Sequence, residues 1–245
     1  MIAFLVYHRI AAGARGDYRS IPPQTFRGHL KAIRDAGVPV IDPGETQRLS
    51  GPGPGVVLTF DDATIDHFAT ARPILAELGL PGLFYVPTAR LDTPGHLSAE
   101  QVACLSDEGH TIGSHSHTHS RLDRLPEASV RRELAVSRSR IKEIVGTPPL
   151  HFAPPGGLYL PSAVAVSEQL GYRFFRSMQW GLNPRFVARK IRVVPMTAAS
   201  SAIFLSWALQ GRHDLALRLM HRSKVTLEQA LPDGAYRRPR ARVTG

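Results

Sequence analysis

One cysteine, Cys104, is the entire thiol complement of the 245 residues, so no internal disulfide holds this chain together. Long apolar runs are missing too: none reaches the 18 or more residues of a bilayer-spanning helix. The apolar opening from Met1 to Tyr7 has no basic region before it and no small-residue cleavage site after it. It therefore reads as a first strand and not as a secretory signal. Acidic residues are scarce, with 20 Asp and Glu facing 30 Lys and Arg for a formal charge of +10. That excess permits an anionic partner such as nucleic acid, lipid headgroups or an acidic glycan. Much of it is terminal, in Arg212, Arg218, Arg222, Lys224, Arg237, Arg238, Arg240 and Arg242. No nucleic-acid recognition motif accompanies it, so nucleic acid is not an expected partner. The hydrophobic fraction of 43% is ordinary for a globular protein, and the length suffices for one barrel-sized core.

Short apolar runs alternate with helical patterns along the chain. Strands are expected at 2–7, 38–41, 56–60, 83–86, 111–114, 151–153, 172–178 and 190–194. Helices are expected at 24–36, with Phe26, Leu30 and Ile33 on one face and Gly37 as the stop, and at 73–78, 127–145 and 161–170. Another, over 98–108, opens on Ser98 with Gln101 three residues later, a capping box. Residues 44–50 read as a helical turn or two. This alternation predicts parallel strands with helices outside. The expected fold is α/β, a single-domain distorted (β/α) barrel of about seven parallel strands over residues 1–197. A basic helical C-terminal extension follows over 198–245, in which the apolar stretch 202–209 reads as a helix packed on the barrel. Chemistry in such barrels gathers at the C-terminal strand ends. Asp61, Asp62, His115 and Pro154 all fall there.

Thr59-Phe60-Asp61-Asp62 places two adjacent carboxylates at the end of a buried strand. Burying one carboxylate is costly and burying two without a partner is worse. His115-Ser116-His117-Thr118-His119, again just after a short apolar stretch, supplies what they lack. One carboxylate with two histidines makes a three-ligand metal site with an open position, and the second carboxylate is left as a base. His117, between the two, reads as a residue behind the ligands or one facing substrate.

Thr59 to Asp62 and His115 to His119, in this order, resemble the first two motifs of the polysaccharide deacetylases, carbohydrate esterase family four. Leu5 to Arg9, Ala71 to Leu75 and Gly109 to His115 are similar to the family as well, over about residues 1 to 195. The resemblance implies that Asp62, His115 and His119 hold one divalent metal ion, zinc being expected and cobalt or nickel the alternatives. It implies Asp61 as the general base and the Gly156 backbone N–H as the oxyanion donor. The third motif departs from the family: Ala153-Pro154-Pro155-Gly156-Gly157 stands where Arg-Pro-Pro-aromatic-Gly is usual. Ala153 removes the arginine that would orient the base, and Arg176 is a candidate replacement. Trp180 is a candidate groove tryptophan. Leu219-Met220-His221 matches the family's Leu-x-His, which makes His221 the implied general acid, although its surroundings read as an amphipathic helix. His8, after the first strand, is the other histidine placed to serve.

The expected function is metal-dependent hydrolysis of N-acetyl groups from an amino-sugar glycan or a glycolipid-linked precursor. Hydrolysis of another amide or of an O-acetyl ester, and glycan binding without catalysis, are the alternatives. The expected setting is cytoplasmic or peripheral at the inner membrane face, with the basic C-terminus in contact with anionic lipid.

Overall fold

The computed structural model describes residues 1–13, 17–44, 53–184, 187–210, 214–215 and 217–219. Seven parallel strands close into a barrel in chain order: β1 (Ile2–Tyr7), β2 (Gly55–Asp61), β3 (Leu83–Val86), β4 (Thr111–Ser114), β5 (His151–Phe152), β6 (Phe174–Trp180) and β7 (Ile191–Pro195). β7 returns to β1 through Leu5↔Val194 and Val6↔Pro195. Strands buried on both faces need apolar side chains on both. The sequences IAFLVY and GVVLTFD meet that need, and every residue of β1 and β2 is buried. Around the barrel run α1 (Pro23–Asp35), α2 (Arg72–Glu77), α3 (Ala99–Asp107), α4 (Glu127–Val145), α5 (Pro161–Gln169) and α6 (Ala202–Leu209).

The helix ends are written locally. Ser98 accepts from Gln101 N–H while the Gln101 side chain accepts from Ser98 N–H, so the capping box forms. Gly146 ends α4 in the left-handed conformation that glycine adopts without strain. Before α2, residues His67–Ala71 form one wide π-helical turn. Leu205 and Leu209 of α6, with Leu217, join the core that holds Phe26, Leu30 and Ile33 of α1. No described helix is long and apolar enough to cross a membrane.

Two strand expectations are corrected. Residues 38–41 form no barrel strand; Val40 makes a single bridge to Val56, flanked by Ile41 N–H to Val56 O and Val56 N–H to Pro39 O. The cause is register: β3 joins β2 only from Thr59 onward, so that side of Val56 is left for a short cover. β6 runs from 174 to 180 and not from 172, because Tyr172 N–H is taken by Ser167 O at the end of α5. The expected helical turn at 44–50 falls, apart from Gly44, outside the described residues.

Register also sets the rim. Tyr7 pairs with Phe60, Asp61 with Tyr85, Val86 with Ser114, Ser114 with Phe152, and Phe152 with Phe175. One step further along each strand therefore lie His8, Asp62, His115, Ala153 and Arg176, all at one end of the barrel. Alternation along the strands turns Phe4, Val6, Val57, Leu83 and Tyr85 into a single interior cluster. Gly113 belongs to this packing, since a Cβ there would lie 2.8 Å from the Tyr85 ring.

At the opposite end, His151 stacks on Phe174 at 4.4 Å and its Nε2–H donates to Pro43 O at 3.1 Å. Burial holds its pKa down at about 4, against 6.5 for an exposed imidazole. The unfolded chain thus takes up the proton first, and stability falls as pH drops from 6.5 toward 4. Urea unfolding at pH 7 and at pH 5 should show the wild type losing about 2 kcal/mol more than His151→Gln. Equal losses in the two proteins would remove His151 as a source of acid sensitivity.

Candidate functional site

β2 delivers Asp61 to the barrel rim and the chain turns sharply at once. Asp62 and Ala63 have φ of 77° and 50°, and Ser116 and His119, in the loop after β4, have 65° and 64°. Only one other described non-glycine residue, Asp92, has positive φ. Such conformations cost free energy and persist where the surroundings over-determine them. Here they do. Ala63 O accepts from Leu97 N–H at 2.9 Å, and His119 N–H donates to Ser116 Oγ at 3.2 Å. Glu133 of α4 accepts from His117 N–H, Thr118 N–H and Thr118 Oγ at 2.8–3.0 Å.

These turns bring three donors together. Asp62 Oδ1 lies 3.5 Å from His115 Nε2 and 2.8 Å from His119 Nε2, and one ligand atom from each residue fits within 4.8 Å of the others. Two imidazole nitrogens and a carboxylate oxygen suit a divalent transition ion with a position left open. His115 is prepared for it: Nδ1–H donates to Ala153 O at 2.7 Å, which leaves the Nε2 lone pair facing the centre. His119 is not. Its Nδ1 meets the Arg90 guanidinium at 2.9 Å, and that group can only donate. Burial alone would raise the Asp62 carboxyl, but hydrogen bonds from His115 and His119 outweigh it and hold the pKa far below the carboxylate range.

Asp61 is served separately. Burial again pushes its carboxyl up; the charge of Arg176 leads the groups that bring it below the ordinary value. Arg176 Nη2 donates to Asp61 Oδ2 at 2.6 Å, with the two side chains 0% and 3% exposed. The guanidinium lies 4.7 Å from the Tyr85 ring centroid, a cation held over a π face. Among the described residues Asp61 Oδ1 has no hydrogen-bond partner. Arg176 thus stands on β6 beside the position where the usual third motif would have put its arginine on β5.

A cleft of about 900 Å³ opens over these groups. His8 lines it; burial lowers its pKa, opposed by the charges of Asp61 and Asp62. Gly156 and Trp180 line it as well. Gly157, with φ of 72°, packs flush on β6, since a Cβ there would meet Met178 at 2.0 Å. His117 does not line this cleft: its Nδ1 pairs with Thr88 Oγ1 at 2.9 Å, in a separate groove beside α4. The strained backbone at Ser116 and His119 aims alternate side chains of the loop to opposite sides. His221 lies outside the described residues. Tyr18, Arg19 and Arg121 also reach the cleft, and nothing in the local sequence pattern singles them out except that Arg121 follows the histidine loop. A second cavity, of about 750 Å³, lies under the edge of α1 and α2 and brings together no comparable set of groups.

The sequence model of the polysaccharide deacetylase family matches residues 49–175. The YxkH protein of Bacillus subtilis is 24% identical over 209 residues, which cover 82% of this chain and 74% of that one. The chitooligosaccharide deacetylase of Bradyrhizobium is 30% identical over 137 residues, 55% of this chain and 59% of that one. Among solved structures, the Streptococcus pyogenes deacetylase PplD superposes with a TM-score of 0.78 at 20% identity, over 85% of this chain and 97% of that one. IcaB from Ammonifex degensii gives 0.77 at 24% identity over the same shares. These two likenesses speak for the fold. With the family match spanning more than half of the residues and both of its motifs meeting at one barrel rim, the chain belongs to the polysaccharide deacetylase family.

Proposed function

We propose that the protein is a metal-dependent hydrolase that removes N-acetyl groups from an amino-sugar glycan or a lipid-linked glycan precursor. The observation that carries this reading is Asp61: a carboxylate oriented through Oδ2 by Arg176, with Oδ1 left unpartnered beside the Asp62–His115–His119 triad. A glycan-binding protein that had lost catalysis would have no use for that arrangement. The names of the chitooligosaccharide deacetylase and of the Bacillus subtilis peptidoglycan-N-acetylmuramic acid deacetylase PdaA support the substrate class. The apolar wall of Met178, Trp180 and Met196 is compatible with a lipid-linked substrate.

Asp62, His115 and His119 hold the ion, zinc by preference. When bound it supplies Lewis acidity, making water more acidic and the acetamide carbonyl more electrophilic. Asp61 Oδ1 accepts a proton from the attacking water while Arg176 keeps the carboxylate charged and aimed. We assign the Gly156 N–H, in the wall of the same cleft, to the oxygen that gains charge as water adds to the carbonyl carbon. The C–N bond then breaks, acetate leaves, and the amine takes a proton. His8 is the described histidine in the cleft that is not a metal ligand, and we assign it that proton transfer.

Metal-stripped protein should release no acetate from N-acetylated oligosaccharides and should recover on addition of zinc or cobalt, whereas Asp61→Asn should lose about 10²–10⁴-fold in kcat. Full activity in Asp61→Asn would sink the mechanism, and release from O-acetyl but not N-acetyl substrates would reassign the reaction. His8→Gln should lose about 100-fold in kcat on N-acetyl sugars and much less on an aryl acetate, whose leaving group needs no proton. An equal loss on both would deny His8 the role of acid.

The Arg90 contact bears on metal affinity. His119 can offer Nε2 to an ion only with its proton on Nδ1, where it then faces the N–H of Arg90. Arg90→Gln supplies an acceptor in its place and should bind zinc about 10-fold more tightly in chelator competition, while Arg90→Lys should not. Weaker zinc binding by Arg90→Gln would contradict this account.

A further inference from the structure

The cleft is rich in donors and poor in acceptors. Among the described residues that line it, only Asp61 and Asp62 carry a carboxylate, and none carries a carboxamide. A neutral sugar presents hydroxyls that donate as well as accept, so a site that reads them offers acceptors as well as donors. Among the described lining residues Thr197 is the single aliphatic hydroxyl, and the other polar side chains outside the histidines are Arg19, Arg121, Tyr18 and the Trp180 indole.

Arg19 is the informative member. Among the described residues it forms no ion pair with a carboxylate. Its Nε donates to Tyr18 Oη at 3.3 Å and its guanidinium lies 5.6 Å from the Tyr18 ring centroid, so the side chain is held without being neutralised. The neighbouring carboxylate, Asp17, is already engaged by Ser20 Oγ at 2.5 Å and by Arg19 N–H at 3.2 Å. Arg19 also stands close enough to Asp62 and His8 for their charges to interact. Arg121, just beyond His119, lines the same cleft while forming a two-pronged contact with Asp123 at 3.0 and 2.5 Å. An anionic group would complement the charge of Arg19, and the fork of a guanidinium matches a carboxylate or phosphate.

We propose that the substrate is an acidic amino sugar: its acetamide lies at the Asp62–His115–His119 centre and an anionic substituent, carboxylate or phosphate, on the same or the adjoining sugar is seated on Arg19. This rests on the deacetylase reading. The test uses the full chain loaded with zinc and three N-acetylglucosamine derivatives: a neutral oligosaccharide, one carrying a carboxylate ether, and one carrying a phosphate ester. Acetate release should show kcat/KM at least about 10-fold higher for one acidic substrate than for the neutral one. Which acid is preferred identifies the substituent. In Arg19→Gln that ratio should fall by about 10-fold, and in the wild type it should shrink as salt is raised. Equal kcat/KM for neutral and acidic substrates, or an Arg19→Gln protein with the wild-type ratio, would overturn the proposal. Should no compound release acetate, the deacetylase reading fails. Calorimetry with zinc-loaded Asp61→Asn then decides the subsite independently: about 10-fold tighter binding of an acidic compound upholds it, and equal affinities reject it.

Discussion

Two adjacent carboxylates at the end of a strand with no exposed residue must each be given a positive partner, and the two partners must differ. Asp62 turns outward through a left-handed backbone and meets two imidazoles. Asp61 continues the alternation of β2 into the barrel and meets Arg176. A buried pair of this kind is costly to split, about 3–5 kcal/mol when one member is removed, because the other is left charged and alone. The interior is built around it. Arg176 needs a surface to lie on, which Tyr85 provides, and Tyr85 needs space, which Gly113 leaves. Ala153, beside Arg176 across β5 and β6, is small for the same reason. A second arginine there would set two cations against one carboxylate.

This accounts for the departure of the third motif from the family pattern. The arginine has not been lost; it comes from the neighbouring strand at the equivalent depth. The register Phe152↔Phe175 makes residues 153 and 176 lateral neighbours, so either can reach Asp61 from within the barrel. In the linear sequence Ala153 is a gap and Arg176 a candidate to fill it. Strand pairing shows that the two positions lie side by side.

Much of the rest was legible for stated reasons. The alternation of apolar runs with helical patterns led to the parallel barrel, and the spacing of Asp62, His115 and His119 led to the triad, because both are written in local sequence. Trp180 was legible as a cleft residue. What escaped was set by contacts between distant segments. Val38 to Ile41 has strand composition, yet the late start of β3 leaves it a single bridge. His117 sits midway between His115 and His119 and faces the other way, since the backbone at Ser116 is left-handed. Arg19 and Arg90 carry no motif; Arg90 pairs with His119, 29 residues on, and Arg19 lies within reach of the charge of Asp62, 43 residues on.

The site also depends on the outer shell more than its ligands suggest. Four strained residues bear or flank the triad, and none of them is held by the barrel strands alone. The loop of Ser116 to His119 is tied down by Glu133 of α4, whose carboxylate accepts three hydrogen bonds from it. The turn at Asp62 and Ala63 is tied to Leu97, just before α3, and to the backbone of His8 through Thr64 Oγ1. His8 O accepts from His67 Nε2 as well, which couples the end of β1 to the wide helical turn before α2. Closing the barrel brings the donors to one rim, but it is the docking of α2, α3 and α4 that fixes the angles at which they meet. A helix on the outside can therefore alter the geometry of the centre without touching it. Short, strained turns anchored to separate helices hold a triad drawn from two loops, after β2 and after β4, at one rim.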